Sequence, residues 1–162
     1  MRKMQIRIID SPVGKLRLVA EDGFLTELRF GGEPAVFNGD SENDSLLDET
    51  ECQLKEYFRG ERKCFDLPLR LKGTEFQRRD WAALQEIPYG ETVSYGEIAR
   101  RIGNPKASRA VGMANHNNPI SIIVPCHRVV GKDGKLTGYG GGLDIKKQLL
   151  ELEQKWKLHG EI

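Results

Sequence analysis

Two segments near the start of the chain, QIRIID and KLRLVA, alternate polar with apolar residues, a period of two that suits extended strands with one buried face. SPVG between them supplies a turn, and Asp22-Gly23 punctuates before FLTELRF, so the first thirty residues are predicted to be strands. The period then changes. After the polar loop GGEPAVFNGDSEND, Leu47, Leu54 and Phe58 recur at roughly helical spacing from Asp44 onward, with Gly60 as the stop. KCFDLPLRLKG reads as a short strand and a linker, which puts a boundary near Lys72–Gly73 and predicts units over 1–72 and 73–162.

The second half carries helix caps. Thr74–Gln77 has the pattern of a capping box and opens a helix whose Phe76, Trp81, Leu84 and Ile87 would face a core; Pro88–Gly90 ends it. Ser94–Glu97 is a second box, starting a short helix to about Ile102. Gly103-Asn104-Pro105 breaks that helix, and Lys106 to about Asn115 reads as the next, the outline of a helix-turn-helix. Asn117-Asn118-Pro119 is a turn, ISIIVP a buried apolar run, and VVGKDGKLTG a hairpin turning at Asp133-Gly134. A glycine cluster from Gly138 to Gly142 precedes a helix from about Asp144, with Ile145, Leu149, Leu152 and Trp156 on one stripe.

With 162 residues, the chain has room for one ordinary domain or two small ones. No apolar run is long enough to span a membrane, and MRKMQIRIIDSPVGK lacks the continuous hydrophobic stretch of a secretory signal, so a cytoplasmic address is expected. Three widely spaced cysteines, Cys52, Cys64 and Cys126, without a CxxC pair, argue against disulfide or zinc frameworks. The net charge is +1, yet residues 92–137 hold seven basic side chains against two acidic ones. Such a stretch suits a polyanion, although solvated basic faces are also common.

Cys126 follows the apolar run directly. Such a cysteine is by default a small buried hydrophobe. Its neighbours offer a second reading: Pro125 fixes the backbone, His127 is a base, and Arg128 adds a positive charge that favours a thiolate. On the pattern alone, core filler and reagent both stand. The helix pair at 92–116 is either a plain hairpin or a DNA-binding element, whose second helix is lined with small residues and carries Lys106 and Arg109 at a phosphate-binding N-terminus. The glycine cluster fits no dinucleotide fingerprint; it is a flexible turn, or backbone lying close to a flat ligand with Tyr139 beside it. Of Glu151 and Glu153, whichever faces inward would orient His127 in a Cys–His–Glu relay. His116 and His159 read as surface residues, and Cys52 and Cys64 as packing.

IVPCHRVVG, with SYGEIARRIGNPKASRAVG and NPISIIVP before it and TGYGGGLDIKKQLLELE after it, strongly resembles the O6-alkylguanine-DNA alkyltransferases. The resemblance covers all of 73–153 and, more loosely, the N-terminal half, where LKEYFRGERKCFDLPL is typical. It implies an α+β fold: a small antiparallel sheet with a helix, ribonuclease-H-like, followed by a helical domain with a helix-turn-helix. It also implies irreversible transfer of an alkyl group from O6 of guanine, and from O4 of thymine, to Cys126, once per molecule. His127 would take the thiol proton through a water and Glu153 would orient His127. Tyr95 would contact the flipped base, Asn118 would be the hinge to the active-site strand, Val129 and Gly140 would offer backbone groups, and Tyr139 a wall. Asn104, Arg109 and Arg128 would meet DNA, with Arg109 entering the duplex through the minor groove where the base leaves. The chain would act as a monomer on double-stranded DNA, without a cofactor.

One departure concerns metal. Relatives with a structural zinc hold it through paired Cys and His in the N-terminal half, which here has no His, so no zinc is expected. Non-catalytic alkyltransferase-like relatives replace the acceptor cysteine, which this chain keeps. Two rival readings are a module that only flags lesions and a Cys–His hydrolase; the first predicts binding without transfer, the second repeated turnover.

Overall fold

A computed structural model describes residues 4–31, 44–139 and 141–159. The chain divides into two compact units, Met1–Leu71 and Lys72–Ile162.

In the first unit, β1 (Met4–Ile9), β2 (Leu16–Glu21) and β3 (Phe24–Phe30) form an antiparallel meander in that order. The β2–β3 connection is two residues long, and Asp22 and Gly23 both have positive φ (52° and 84°). That is the turn whose twist matches the flanking strands, which is why Asp-Gly is favoured there. Alternation puts Leu16, Leu18, Leu25 and Leu28 in the core with no exposed surface. A bulge between Val19 and Ala20 shifts the register, and the Thr26 hydroxyl donates to the Val19 carbonyl across it. Residues 68–70 run parallel beside β3, with Leu25 N donating to Pro68 O and Arg70 N to Leu25 O.

Helix α1 (Ser45–Phe58) is capped by Asp44, whose carboxylate accepts from Leu47 N at 2.9 Å. Gly60, at φ 78°, closes its other end. The helix buries Leu47, Leu54 and Tyr57. Cys52 and Cys64 are exposed, not packed: Cys52 lies off the inward line of α1, which runs through Leu47, Thr50, Gln53, Leu54 and Tyr57.

In the second unit, α2 (Glu75–Leu84) begins with the full Thr74–Gln77 capping box, Thr74 N donating to Gln77 Oε1 and Gln77 N to Thr74 Oγ1. Helix α3 (Tyr95–Arg101) has only half of its predicted box. Ser94 Oγ accepts from Glu97 N, while the Glu97 carboxylate turns to Arg100 and Arg101. Helix α4 (Ser108–His116) starts two residues later than expected, because Asn104 to Ala107 close a turn through Ala107 N and Asn104 O. Lys106 therefore lies in the turn, not at the helix N-terminus. Helices α2, α3 and α4 share a core of Trp81, Leu84, Ile98, Val111 and Ala114.

One expectation changes in the remainder. VVGKDGKLTG does not fold back as a hairpin of two strands: β5 (Val129–Val130) pairs in parallel with β4 (Val93–Ser94), and only the Asp133-Gly134 turn remains. ISIIVP is the buried apolar run expected, with Ile120, Ile122 and Val124 inside, and it passes through turns because Asn118 takes up the Ile120 N–H and the Val124 carbonyl. Helix α5 (Leu143–His159) closes the unit.

Candidate active site

The backbone reaches Cys126 through two tight reversals. Ile122 has a left-handed φ of 72°, rare for a β-branched residue, and Ile123 N donates to Ser121 O across it. Pro125, at φ −83° and ψ 64°, then forms an inverse γ-turn, with Cys126 N donating to Val124 O at 2.8 Å. Buried Asn118 fixes this path. Its Oδ1 accepts from Ile120 N at 3.0 Å, and its Nδ2 donates to Val124 O at 2.8 Å and to Cys126 Sγ at 3.2 Å. Cys126 opens a 3-10 turn, Cys126–Arg128, which leads into β5.

Burial pushes the Cys126 thiol up to about 11, against the opposing pull of the Asn118 amide and Lys146. The resting group is therefore a thiol, not the thiolate that its neighbours in sequence suggested. Arg128 does nothing to lower it, because its guanidinium points elsewhere. Arg128 Nε and Nη2 donate to the two oxygens of Glu153 at 2.8 and 3.1 Å, and Nη1 donates to Ile87 O at 2.7 Å. With its donors engaged and its side chain buried, Arg128 is an interior residue and not the DNA contact expected of it.

His127 Nε2 lies 2.6 Å from Glu153 Oε2, both groups fully buried. Burial would raise the Glu153 carboxyl, but His127 and Arg128 hold it well below the usual carboxylate range. Burial also lowers His127, and since Arg128 already neutralises the carboxylate, the ring stays neutral. A carboxylate only accepts, so Nε2 carries the hydrogen and Nδ1 keeps its lone pair. That Nδ1 is buried without a hydrogen-bond partner. Of the two candidate glutamates, Glu153 faces inward and Glu151 is exposed.

The buried line of α5 is not the predicted apolar stripe. Leu149 is buried, but its companions are Lys146 and Glu153, while Ile145, Leu152 and Trp156 are only half-buried. Sequence reasoning missed Lys146; two adjacent lysines in a polar helix give no sign of which one turns in. Its Nζ donates to Thr137 O at 2.7 Å and lies 5.8 Å from the Tyr95 ring centroid. Burial lowers its amine to about 8, with Cys126 opposing. The Tyr95 hydroxyl donates to Thr137 O at 3.1 Å, so Tyr95, Thr137 and Lys146 form one cluster. Tyr139 is half-buried, and burial raises its hydroxyl well above the ordinary value, against a hydrogen bond with Ser121. Val129 is buried in β5 and its N–H donates to Cys126 O, which leaves only its carbonyl to offer. Gly140 lies outside the described residues.

Tyr95, Ser108, Arg109, Gly112, His116, Thr137 and Gly138 line an open cavity of about 380 Å³ between α4 and the loop before α5. Arg109 and Asn104 are exposed on the α3–α4 side, as are Ala110 and Met113. Among the described residues no cluster of three His, Cys, Asp or Glu side chains could hold a metal, and no helix is long and apolar enough to cross a membrane.

Comparison with known proteins identifies the family. The family model of the 6-O-methylguanine DNA methyltransferase DNA binding domain matches residues 75–155, and that of the same family's ribonuclease-like domain matches residues 4–71. A methylated-DNA–protein-cysteine methyltransferase of Methanosarcina acetivorans is 55% identical over 153 residues, spanning 93% of this chain and 98% of its own. One from Mycolicibacterium paratuberculosis is 56% identical over 155 residues, spanning 94% and 93%. The crystal structure of Mycobacterium tuberculosis OGT in complex with DNA matches with a TM-score of 0.87 at 52% identity, covering 94% of each chain. Two domain matches in tandem, and identity above half along nearly the whole length, establish that the chain belongs to the 6-O-methylguanine DNA methyltransferase family.

Proposed function

We propose that this chain repairs DNA by moving an alkyl group from O6 of guanine onto Cys126 Sγ, irreversibly and once per molecule. The observation that carries this reading is the buried thiol next in sequence to His127, whose lone-pair nitrogen is unpartnered while its other nitrogen is bound to an ionised Glu153. His127 Nδ1 takes the thiol proton through a bridging water, and Glu153, kept anionic by Arg128, stabilises the imidazolium that results. The thiolate attacks the alkyl carbon, the C–S bond forms, and the C–O bond breaks toward the base. Tyr95 gives its proton to the departing guanine, with the Lys146 amine 5.8 Å from its ring centroid. Nothing in the cluster can cleave the thioether, so the protein is consumed. Because burial keeps the resting thiol protonated, the one equivalent is not lost to stray electrophiles.

A stacked base cannot reach a buried sulfur, so the base is flipped out of the duplex. The exposed face of α4, with Arg109 and Ala110, suits close approach to a minor groove, and Arg109 fills the space that the base vacates. Asn104 lies at the DNA surface, Val129 and Gly140 meet the base edge, Tyr139 walls the pocket, and O4-alkylthymine is a second substrate. The chain acts as a monomer in the cytoplasm.

Intact-mass measurement after incubation with an O6-methylguanine oligonucleotide tests this reading. We expect one methyl per chain, mapping to Cys126, and a burst equal to the protein added. More than one lesion repaired per chain overturns it. Arg109→Ala is expected to weaken duplex binding, with the slope of log affinity against log salt smaller by about 1. It should slow transfer from duplex more than from single-stranded oligonucleotide, because only the duplex needs a substitute for the lost base.

A further inference from the structure

Helix α2 carries a carboxyl that the mechanism does not use. Asp80 has no exposed surface, and the only cause of its shifted titration is burial, with no cation set against it. Its partner is Asn115 in the last turn of α4. With its nitrogen turned to the carboxylate, the Asn115 amide donates to Asp80 Oδ2 at 2.5 Å, to Oδ1 at 3.2 Å and to Val111 O at 3.3 Å. The adjacent Trp81 Nε1 donates to Ala114 O at 2.9 Å, so two successive residues of α2 grip two successive residues of α4. The line continues to the sulfur. Asn118 N donates to Asn115 O at 3.1 Å, and Asn118 Nδ2 donates to Cys126 Sγ at 3.2 Å.

We infer that Asp80 is a positioning residue for the alkyl transfer: it clamps the end of α4 and, through Asn115 and Asn118, sets the place and the charge environment of the Cys126 thiol. The inference rests on the alkyl-transfer reading above. A clamp alone does not need a carboxyl, because an apolar or amide pair would hold the helices without burying a charge. The carboxyl adds an electrostatic hold. Burial raises the Asp80 carboxyl, but it still ionises before the thiol does, so its negative charge opposes thiolate formation, whereas the thiol is still neutral when Asp80 titrates. The elements packed against α2 are α3, α4 and the 3-10 turn. On α3, Arg100 and Arg101 turn to Glu97; on α4, His116 and Arg109 are exposed; on the turn, His127 and Arg128 turn to Glu153. Cys126 is the group whose titration Asp80 opposes.

The test uses the full chain with Cys52→Ser and Cys64→Ser, which leaves one thiol, and follows thiolate absorbance against pH beside single-turnover methyl transfer. Asp80→Asn keeps an acceptor for Asn115 and removes the charge. Its thiolate midpoint is expected at lower pH, with transfer near neutrality at least as fast as in the parent. Asp80→Leu removes the clamp, and transfer is expected to fall about tenfold through misplacement of the sulfur, with thermal unfolding confirming a folded chain. An unmoved or raised midpoint in Asp80→Asn overturns the inference, as does parental transfer by a folded Asp80→Leu chain. If the parent takes no methyl from DNA but the Asp80→Asn midpoint still falls, the alkyl-transfer reading fails while the electrostatic link between Asp80 and the thiol stands.

Discussion

A Cys126→Ser chain is expected to bind methylated duplex DNA as the native chain does and to take no methyl group from it. Serine replaces the sulfur with little change of shape, and the Asn118 amide that now donates to Sγ can donate to a hydroxyl. Cys126 is buried, so the exposed α4 surface is untouched. The chemistry does not survive. A serine hydroxyl is a far weaker acid than a thiol, and His127, whose basicity burial lowers, cannot generate an alkoxide for a displacement at carbon. A gel-shift titration with an intact-mass measurement on the same samples separates the two properties. Methyl loss from DNA at the native rate would place the acceptor elsewhere.

Glu153→Gln is expected to cost about 3–5 kcal/mol of folding stability, because it leaves the buried Arg128 guanidinium without its counter-charge. Two of that guanidinium's three hydrogen bonds go to Glu153, and the third goes to Ile87 O, which carries no charge. Urea unfolding at neutral pH measures the loss. Acid gives a second signature. The folded carboxyl is held well below its unfolded value of 4.5, so its contribution is complete above that pH and disappears as pH falls below it. The native chain should therefore lose stability on acidification through that window, and the variant should show a shallower acid limb. Transfer should fall as well, since a neutral amide stabilises the His127 cation less than a carboxylate does. A variant as stable as the native chain at neutral pH would mean that the ion pair does not hold the turn.

The features legible in the sequence are those made by a few neighbouring residues. Asp44 and Gly60 bound α1, Thr74 and Gln77 open α2, and Asp22-Gly23 makes the tight turn between β2 and β3. Each is a hydrogen bond or a backbone angle fixed within four residues. The pairing of β4 with β5 was not legible, because two strands of two residues carry no periodicity and exist only through a contact thirty-six positions apart, Val93 with Val129. For the same reason the burial of Arg128 was not legible: its partners, Ile87 and Glu153, are remote in sequence. ISIIVP reads as a buried apolar run, but its path was not legible, because the Asn118 side chain bends it into turns. At the site, the pattern alone left Cys126 between core filler and reagent and the partner of His127 between Glu151 and Glu153, which only the packing of α5 decides, and the burial of Lys146 and Asp80 gave no sign, since burial of a charged residue breaks the pattern that locates cores.

The inward pair on α5 also fixes where this chain can change length. Lys146 and Glu153 lie seven positions apart and share a face because two helical turns separate them. One residue inserted between them would rotate everything beyond it by about 100°. Glu153 would swing away from Arg128, and a neighbour would face the guanidinium instead. Insertions there should be far less tolerated than at the exposed Asp133-Gly134 turn, where added residues loop into solvent. The helix that supplies two charged groups to the interior thus behaves as a ruler, and the spacing between its two marks is what a drifting sequence must preserve.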